Sequence, residues 1–189
     1  MAELNPQRPT PVRAEIASAD WLVEPFWPGI RVIARSDDGG VHTSPDLPGA
    51  TDALRVAIQT DRAVVDGIWT AQPFGGEDRR AFVAVDLLEL DGDPLLDVPL
   101  LERRRLLDSV VSESESVRLS PIVKHPIRGW LASWRATGFT HYVAKRQNAR
   151  YASGEQNDDW LKIPIERQSG GGFVGRLIGT RERVRRIGD

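Results

Sequence analysis

The feature that most constrains the fold is a succession of short strand-like runs with few helical segments between them. Runs rich in Val, Phe and Leu occupy residues 62–69 and 81–90, and polar or glycine-bearing segments bound each run. Residues 37–40 read Asp-Asp-Gly-Gly, which is typical of a hairpin turn. The pattern predicts an α+β domain with mostly antiparallel sheets.

Apolar spacing predicts helices over residues 50–60, 99–114 and 126–137. In the last of these, Ile127, Trp130, Leu131 and Trp134 recur at helical spacing, which predicts a stripe that faces the core. Further strands are predicted over residues 117–123, 139–144 and 159–165, the last two as a buried pair.

Composition excludes several classes of protein. The 189 residues suffice for one domain with a real core, and no run of about 18 apolar residues suggests a membrane span. The chain has no cysteine, so it has neither a disulfide framework nor a thiolate zinc site, which suits a cytoplasmic protein. The three histidines lack metal-ligand spacing, so no metal site is predicted.

The charge is unevenly distributed along the chain. Residues 1–119 carry a net charge of −9, whereas residues 120–189 carry +7. This division predicts a basic surface that attracts phosphates. The alternative is that acidic and basic residues from the two halves interleave in space and cancel.

Five segments resemble, in order, the motifs of the adenylation domain of ATP-dependent DNA ligases, most closely the bacterial ligases of end-joining repair. Together they span about residues 20–166. The segments are WLVEPFWPGIR (21–31), AVVDGI (63–68), FVAVDLLELDG (82–92) leading into PLLERR (99–104), GFTHYVAKR (138–146) and DDWLKIP (158–164).

The resemblance implies two mostly antiparallel sheets with flanking helices, in the ATP-grasp-like nucleotidyltransferase fold of DNA ligase adenylation domains. It assigns residues 1–17 to a loose leader and residues 18–168 to the adenylation domain. Residues 169–189 would form a glycine hinge, a last strand and a basic end. The 24 residues after Ile165 are too few for the oligonucleotide-binding barrel of full ligases.

The resemblance also indicates that the catalytic groups are gone. The family reaction begins when a lysine amine attacks the α-phosphate of ATP. Phe26 stands at that position, and the chain's three lysines lie elsewhere. Family acids are replaced by Pro28, Ile68 and Thr140, the adenine-stacking aromatic by Val85 and a second lysine by Pro164. We therefore expect a pseudoenzyme that uses neither ATP nor Mg²⁺.

Several charged motif positions are kept. By resemblance, Glu24 would approach the adenine amine, Arg31 the ribose or phosphates and Lys162 the α-phosphate; Lys145 also matches. The alternative is that these charges form ion pairs without a ligand. With Phe26, Ile68 and Val85 facing the same space, we expect a smaller and drier pocket.

Three functions remain open at this point. The first is a non-catalytic DNA-repair accessory that binds a duplex backbone. The second is a protein-interaction module that partners an active ligase or repair factor, and the third is an active nucleotidyltransferase with an unrecognised arrangement. The DNA-binding candidates are Arg103, Arg104, Arg105, Arg146, Arg150, Arg181, Arg183, Arg185 and Arg186.

Overall fold

The computed structural model describes residues 4–13, 16–72 and 79–166. Ten strands and three helices occur in these ranges. In chain order they are β1 (Arg8–Pro11), β2 (Trp21–Pro25), β3 (Ile30–Asp37), β4 (Gly40–Ser44), α1 (Pro48–Ala57), β5 (Ala63–Thr70), β6 (Ala81–Leu90), β7 (Asp93–Pro94), α2 (Leu100–Val110), β8 (Val117–Leu119), α3 (Arg128–Ala136), β9 (His141–Arg146) and β10 (Gln156–Pro164).

The strands form two sheets. The first sheet has the order β1-β10-β9-β2, in which β9 is antiparallel to both neighbours and β1 is parallel to β10. The second has the order β4-β3-β5-β6-β7, with β8 parallel to β6. The predicted hairpin turn joins β3 to β4, with Asp37 opposite Gly40. The α+β prediction with two mostly antiparallel sheets is confirmed.

The helices cover the outer faces of the sheets. Helices α1 and α2 pack through Leu54 and Leu107 into a core shared with Phe82 of the second sheet. Helix α3 packs through Trp134 against Tyr142 and Ile163 of the first sheet. Side chains alternate along each strand, so Lys145 and Val143 of β9 point to the opposite face, toward the second sheet. The motif residues therefore meet between the sheets.

Two glycines within the motifs are needed for the strands to approach one another. A Cβ on Gly67 would lie 2.2 Å from the Phe82 ring and 2.7 Å from the Val83 carbonyl oxygen. Gly29 has a φ of +149°, and its Cβ would lie 2.4 Å from the Trp69 carbonyl oxygen. Only a residue without a side chain fits at either position. These motif glycines have a structural reason that is independent of catalysis.

The prediction of a loose leader over residues 1–17 is wrong for its described part. Residues 8–11 form β1, which extends the first sheet along β10. Gln7 is buried, its backbone N–H donates to the Tyr151 hydroxyl at 2.9 Å, and its side-chain amide donates to Asn157. Local sequence did not signal this pairing because it joins residues about 150 positions apart along the chain.

Two helix predictions need correction. Helix α2 ends at Val110, not Ser114, because Val111 takes up an extended conformation and forms a bridge with Ile58. In α3, Trp134 is buried as predicted, but Trp130 is 49% exposed and does not belong to the core.

The predicted hinge, strand and basic end at 169–189 lie outside the described residues. Within the described ranges, none of the helices has the length and apolar character needed to cross a bilayer.

Candidate functional site

The charged motif residues face one another in the layer between the two sheets. Glu24 lies on β2 and Lys145 on the neighbouring strand β9, and their side chains are only 5% and 4% exposed. Lys145 Nζ lies 2.5 Å from Glu24 Oε1 and 3.8 Å from the centroid of the Trp160 ring. Burial lowers the pKa of the Lys145 ammonium below its usual value, although Glu24 and Asp86 oppose that shift. Glu24 and Lys145 therefore form an ion pair inside the protein.

A second ion pair closes the side of the layer formed by the second sheet. Arg31 of β3 donates to both carboxylate oxygens of Asp66 on β5, each at 2.6 Å. The Tyr151 hydroxyl donates to the same carboxylate at 2.6 Å. Burial disfavours the charged form of Arg31, but Asp66 outweighs it and raises the pKa of the guanidinium. Burial and Asp66 together raise the pKa of Tyr151.

Phe26, which the motif resemblance aligns with the family's nucleophile, lies at the edge of this layer. Lys162 Nζ sits 3.6 Å from the centroid of the Phe26 ring, a cation–π contact. The His141 ring meets the same phenyl ring edge-on, with centroids 6.3 Å apart. Partial burial lowers the pKa of Lys162. The ammonium group of Lys162 thus packs on the face of the Phe26 ring.

Little space is left between these side chains. The cavity beside Glu24, Arg31 and Lys145 has a volume of about 20 Å³. A single ordered water needs about 10–15 Å³ on this scale. Its walls include Pro9, Phe26, Ile68, Val85 and Trp160. The cavity accommodates about one water molecule and no larger group without rearrangement.

The structure brings together only part of the predicted set. Phe26, Ile68 and Val85 line the small cavity along with Glu24, Arg31 and Lys145. Pro28 and Thr140 are exposed, and the Thr140 hydroxyl is 2.9 Å from His141 Nδ1. Pro164 lines a different pocket. The part of the cavity wall formed by Phe26, Ile68 and Val85 is apolar.

Sequence reasoning missed several residues that complete the site. Asp66 stands in the second motif, yet only the folded structure shows it to be the buried partner of Arg31. Pro9 closes the cavity from β1, a segment whose sequence carries no strand signal. Tyr151 lies outside every motif.

The prediction that Arg103 and Arg104 bind DNA is wrong. Arg103 is completely buried and donates two hydrogen bonds of 2.8 Å to Asp86, and one of 3.1 Å to the Ala149 carbonyl. Arg104 is 4% exposed and donates to the Ser120 carbonyl at 2.8 Å. Both side chains point into the packing between α2 and the second sheet, where no duplex reaches them.

Three other DNA-binding candidates are exposed, and each has a carboxylate partner. Arg105 pairs with Glu102, Arg146 with Asp159 at 3.4 Å and Arg150 with Asp97 at 3.3 Å. Arg150–Asp97 and the buried Lys145–Glu24 join the basic half of the chain to the acidic half. The two halves therefore interleave at these points. The candidates Arg181, Arg183, Arg185 and Arg186 lie outside the described residues.

Comparisons with known proteins agree with the motif resemblance. A family model described as the ATP dependent DNA ligase domain matches residues 76–163. A DNA ligase of Thermococcus onnurineus is 28% identical over 149 residues, covering 65% of this chain and 26% of that protein. The multifunctional non-homologous end joining protein LigD of Mycobacterium bovis is 26% identical over 168 residues, covering 79% of this chain and 22% of LigD. The chain thus spans about a quarter of the length of these relatives.

Solved structures give the same result. Mycobacterial DNA ligase D complexed with ATP and MES superposes with a TM-score of 0.69 at 26% identity, covering 85% of this chain and 60% of that one. The ligase domain of LigD from M. tuberculosis gives a TM-score of 0.64 at 25% identity, covering 84% and 58%. A Lig E DNA ligase, at 14% identity and a TM-score of 0.58, shares the fold. The predicted kinship to the adenylation domain is confirmed.

Proposed function

We propose that this chain, a relative of the ATP-dependent DNA ligases, forms no lysyl-AMP and acts as a non-catalytic, DNA-binding accessory in repair or end joining. The observation that carries the first half is the cavity of about 20 Å³ at the motif positions. The motif charges around it neutralise one another in the pairs Glu24–Lys145 and Arg31–Asp66. A nucleotide would have to break both pairs to enter.

The residues present do not fit ATP and its metal ions. Phe26 offers no nucleophilic atom, and Pro28, Ile68 and Thr140 offer no carboxylate at the family's acidic positions. Lys145 is committed to Glu24, and Lys162 rests on Phe26. Losing a nucleophile alone lowers the rate of such reactions by several orders of magnitude. These features support the absence of an adenylation step.

The DNA-binding half of the proposal rests on kinship and charge. The Thermococcus onnurineus relative is a DNA ligase by name, the similar mycobacterial structure is titled DNA ligase D, and the second half of the chain is basic. Arg105, Arg146 and Arg150 are exposed, and their carboxylate partners are exposed as well. Phosphates can compete for such solvated guanidinium groups, giving affinity without sequence preference.

The adenylation half is tested by incubating the protein with radiolabelled ATP and Mg²⁺ and looking for a covalent adenylate. We expect none in the wild type, in Phe26→Lys or in Phe26→Lys combined with Pro28→Asp, because Ile68 and Thr140 remain. Any adenylate should be mapped by mass spectrometry to Lys124, Lys145 or Lys162. A label on a wild-type lysine would overturn the proposal, and a label on the double variant would refute the argument from the missing acids.

The DNA half is tested by mobility shift with nicked, blunt-ended and single-stranded DNA at two salt concentrations, with and without ATP. We expect binding that weakens steeply with salt and does not respond to ATP. No binding at low salt would remove the DNA-binding half and leave the adenylation half untouched. Binding that depends on ATP would reopen the nucleotide pocket.

A further inference from the structure

A second and much larger concavity lies on the outer face of the first sheet. Its volume is about 990 Å³, and one wall is the side of α3 that carries Leu131, Ala132 and Ala136. The opposite wall is the end of β10, with Pro164 and Ile165. We call this concavity the α3 groove. Its size is at the upper end of the range for ligand pockets, and it suits a segment of polypeptide.

The α3 groove is chemically distinct from the cavity between the sheets. Tyr142 and Ile163 point into the groove, whereas Val143 and Lys145 of the same sheet point into the small cavity. The two sites therefore occupy opposite faces of one sheet. The groove is not a remnant of the nucleotide site, and this inference does not depend on the proposed function.

Charge at the groove is mainly positive. Among the described residues that line it, Arg13, Arg128 and Arg135 are opposed by the one carboxylate of Glu166. Arg13 and Arg128 are exposed, and Arg135 donates to the Glu166 carbonyl at 3.1 Å, which ties α3 to the end of β10. Apolar walls with arginines at the edge favour a ligand that presents apolar side chains flanked by carboxylates.

We propose that the α3 groove binds an acidic, amphipathic segment of another polypeptide. A helix that buries an apolar face in a groove and places its acidic residues against basic groups is a recurrent mode of recognition. Charge argues against residues 167–189 of this chain, which carry six Lys+Arg and two Asp+Glu. The apolar walls argue against a nucleic-acid backbone, which has no comparable apolar face.

The test is fluorescence anisotropy of the full-length protein with three labelled synthetic peptides of about 14 residues, long enough to become helical. The first carries leucines at i, i+3, i+4 and i+7 with glutamates elsewhere. The second has lysines in place of the glutamates, and the third is a scrambled version of the first. We expect saturable binding of the first peptide and weak binding of the other two.

Substitutions assign the binding to the groove. Arg128→Glu should weaken the glutamate peptide about tenfold and strengthen the lysine peptide. Ala132→Glu, at an exposed wall position, gives a second probe in case the first variant misfolds. Ser133→Glu is the matched control because it adds the same charge to an exposed position of α3 that does not line the groove. It should leave the affinity unchanged.

Five outcomes would overturn the proposal. Equal binding of all three peptides, or an equal loss with Ser133→Glu, would show that the groove is not selective. Stronger peptide binding after Phe173→Asp with Leu177→Asp would show that the chain's own end occupies the groove. Displacement of the peptide by a DNA duplex, abolished by Arg128→Glu, would assign the groove to nucleic acid. Dimers in light scattering that Ala132→Glu dissociates would assign it to a second copy.

Discussion

Replacing Arg103 by Met should destabilise the domain severely, although sequence alone places this arginine on a DNA-binding surface. In the structure, Arg103 and Asp86 are both completely buried, and two hydrogen bonds of 2.8 Å join them. The guanidinium also donates to the carbonyls of Val98 and Ala149, so it ties α2 to two loops. Met preserves much of the volume and removes the charge. Asp86 is then left as a buried carboxylate without its main partner.

Removing one member of a buried pair costs about 3–5 kcal/mol because the remaining charge is uncompensated. Whole domains of this size are stable by about 5–15 kcal/mol, so the loss is a large fraction of the total. With a urea dependence of about 2 kcal/mol per M, the unfolding midpoint should fall by about 1.5–2.5 M. The double variant Arg103→Met with Asp86→Leu should recover much of this loss, because neither charge remains to be desolvated.

Urea unfolding monitored by tryptophan fluorescence measures the change, with Arg105→Met as the matched control. Arg105 is two residues along the same helix and is exposed beside Glu102, so its replacement should leave the midpoint almost unchanged. A loss below about 1 kcal/mol for Arg103→Met would refute the buried pair. If Arg103→Met instead folds normally but no longer binds DNA in a mobility-shift assay, Arg103 is an exposed DNA-binding residue.

Three further predictions follow from the site and the fold. Tyr151→Phe removes the hydroxyl that accepts from the Gln7 N–H and donates to Asp66. It should lower the free energy of unfolding by about 1–3 kcal/mol and speed hydrogen exchange of the Arg8 amide, which donates to the Glu155 carbonyl. Neither effect should occur if other contacts anchor β1. Gly67→Ala should lower the free energy of unfolding by about 1–3 kcal/mol because its Cβ is forced into the Phe82 ring. The control Gly129→Ala, whose Cβ meets no atom within 4 Å, should stabilise α3 by up to about 1 kcal/mol. Equal effects of the two substitutions would contradict the close packing around β5. The pKa of His141, measured by NMR titration, should lie below its ordinary value because of burial and the charge of Lys162. The contribution of His141 to stability therefore falls as pH drops from about 6.5 through the folded pKa. Lys162→Met should raise this pKa part of the way, and an unchanged pKa would show that Lys162 does not act on His141.

The fold could be predicted from the sequence to a considerable extent. Strand signals and motifs located β5, β6, β9 and β10, because these segments combine apolar alternation with clear turn residues. They could not locate β1, whose pairing with β10 is set by tertiary contacts of Gln7 and Tyr151. The apolar spacing could not predict that Trp130 is exposed, because it identifies one face of the helix but not how much of that face the sheet covers.

The candidate site was harder to predict because a charged motif residue looks the same in sequence whether it faces a ligand or a buried partner. Lys145 and Arg103 both stand in motifs, and both are ion-paired inside the protein. Which of the two applies depends on the side chain that the fold places opposite, Glu24 for Lys145 and Asp86 for Arg103. Those pairings became visible only in three dimensions.

The motif positions that match the family pattern and those that depart from it differ in their structural role. Gly29 and Gly67 allow close backbone approach, and the Glu24–Lys145, Arg31–Asp66 and Arg103–Asp86 pairs neutralise charge in the layers around the second sheet. Removing any of these would leave a clash or an unpaired buried charge, so the fold itself requires them. Phe26, Ile68 and Val85 could become apolar because they face the cavity, where apolar side chains displace water and stabilise the closed layer. Under the proposed function, in which no nucleotide binds, closing the pocket with apolar side chains stabilises the fold, and the surfaces available for binding a partner are those outside the pocket.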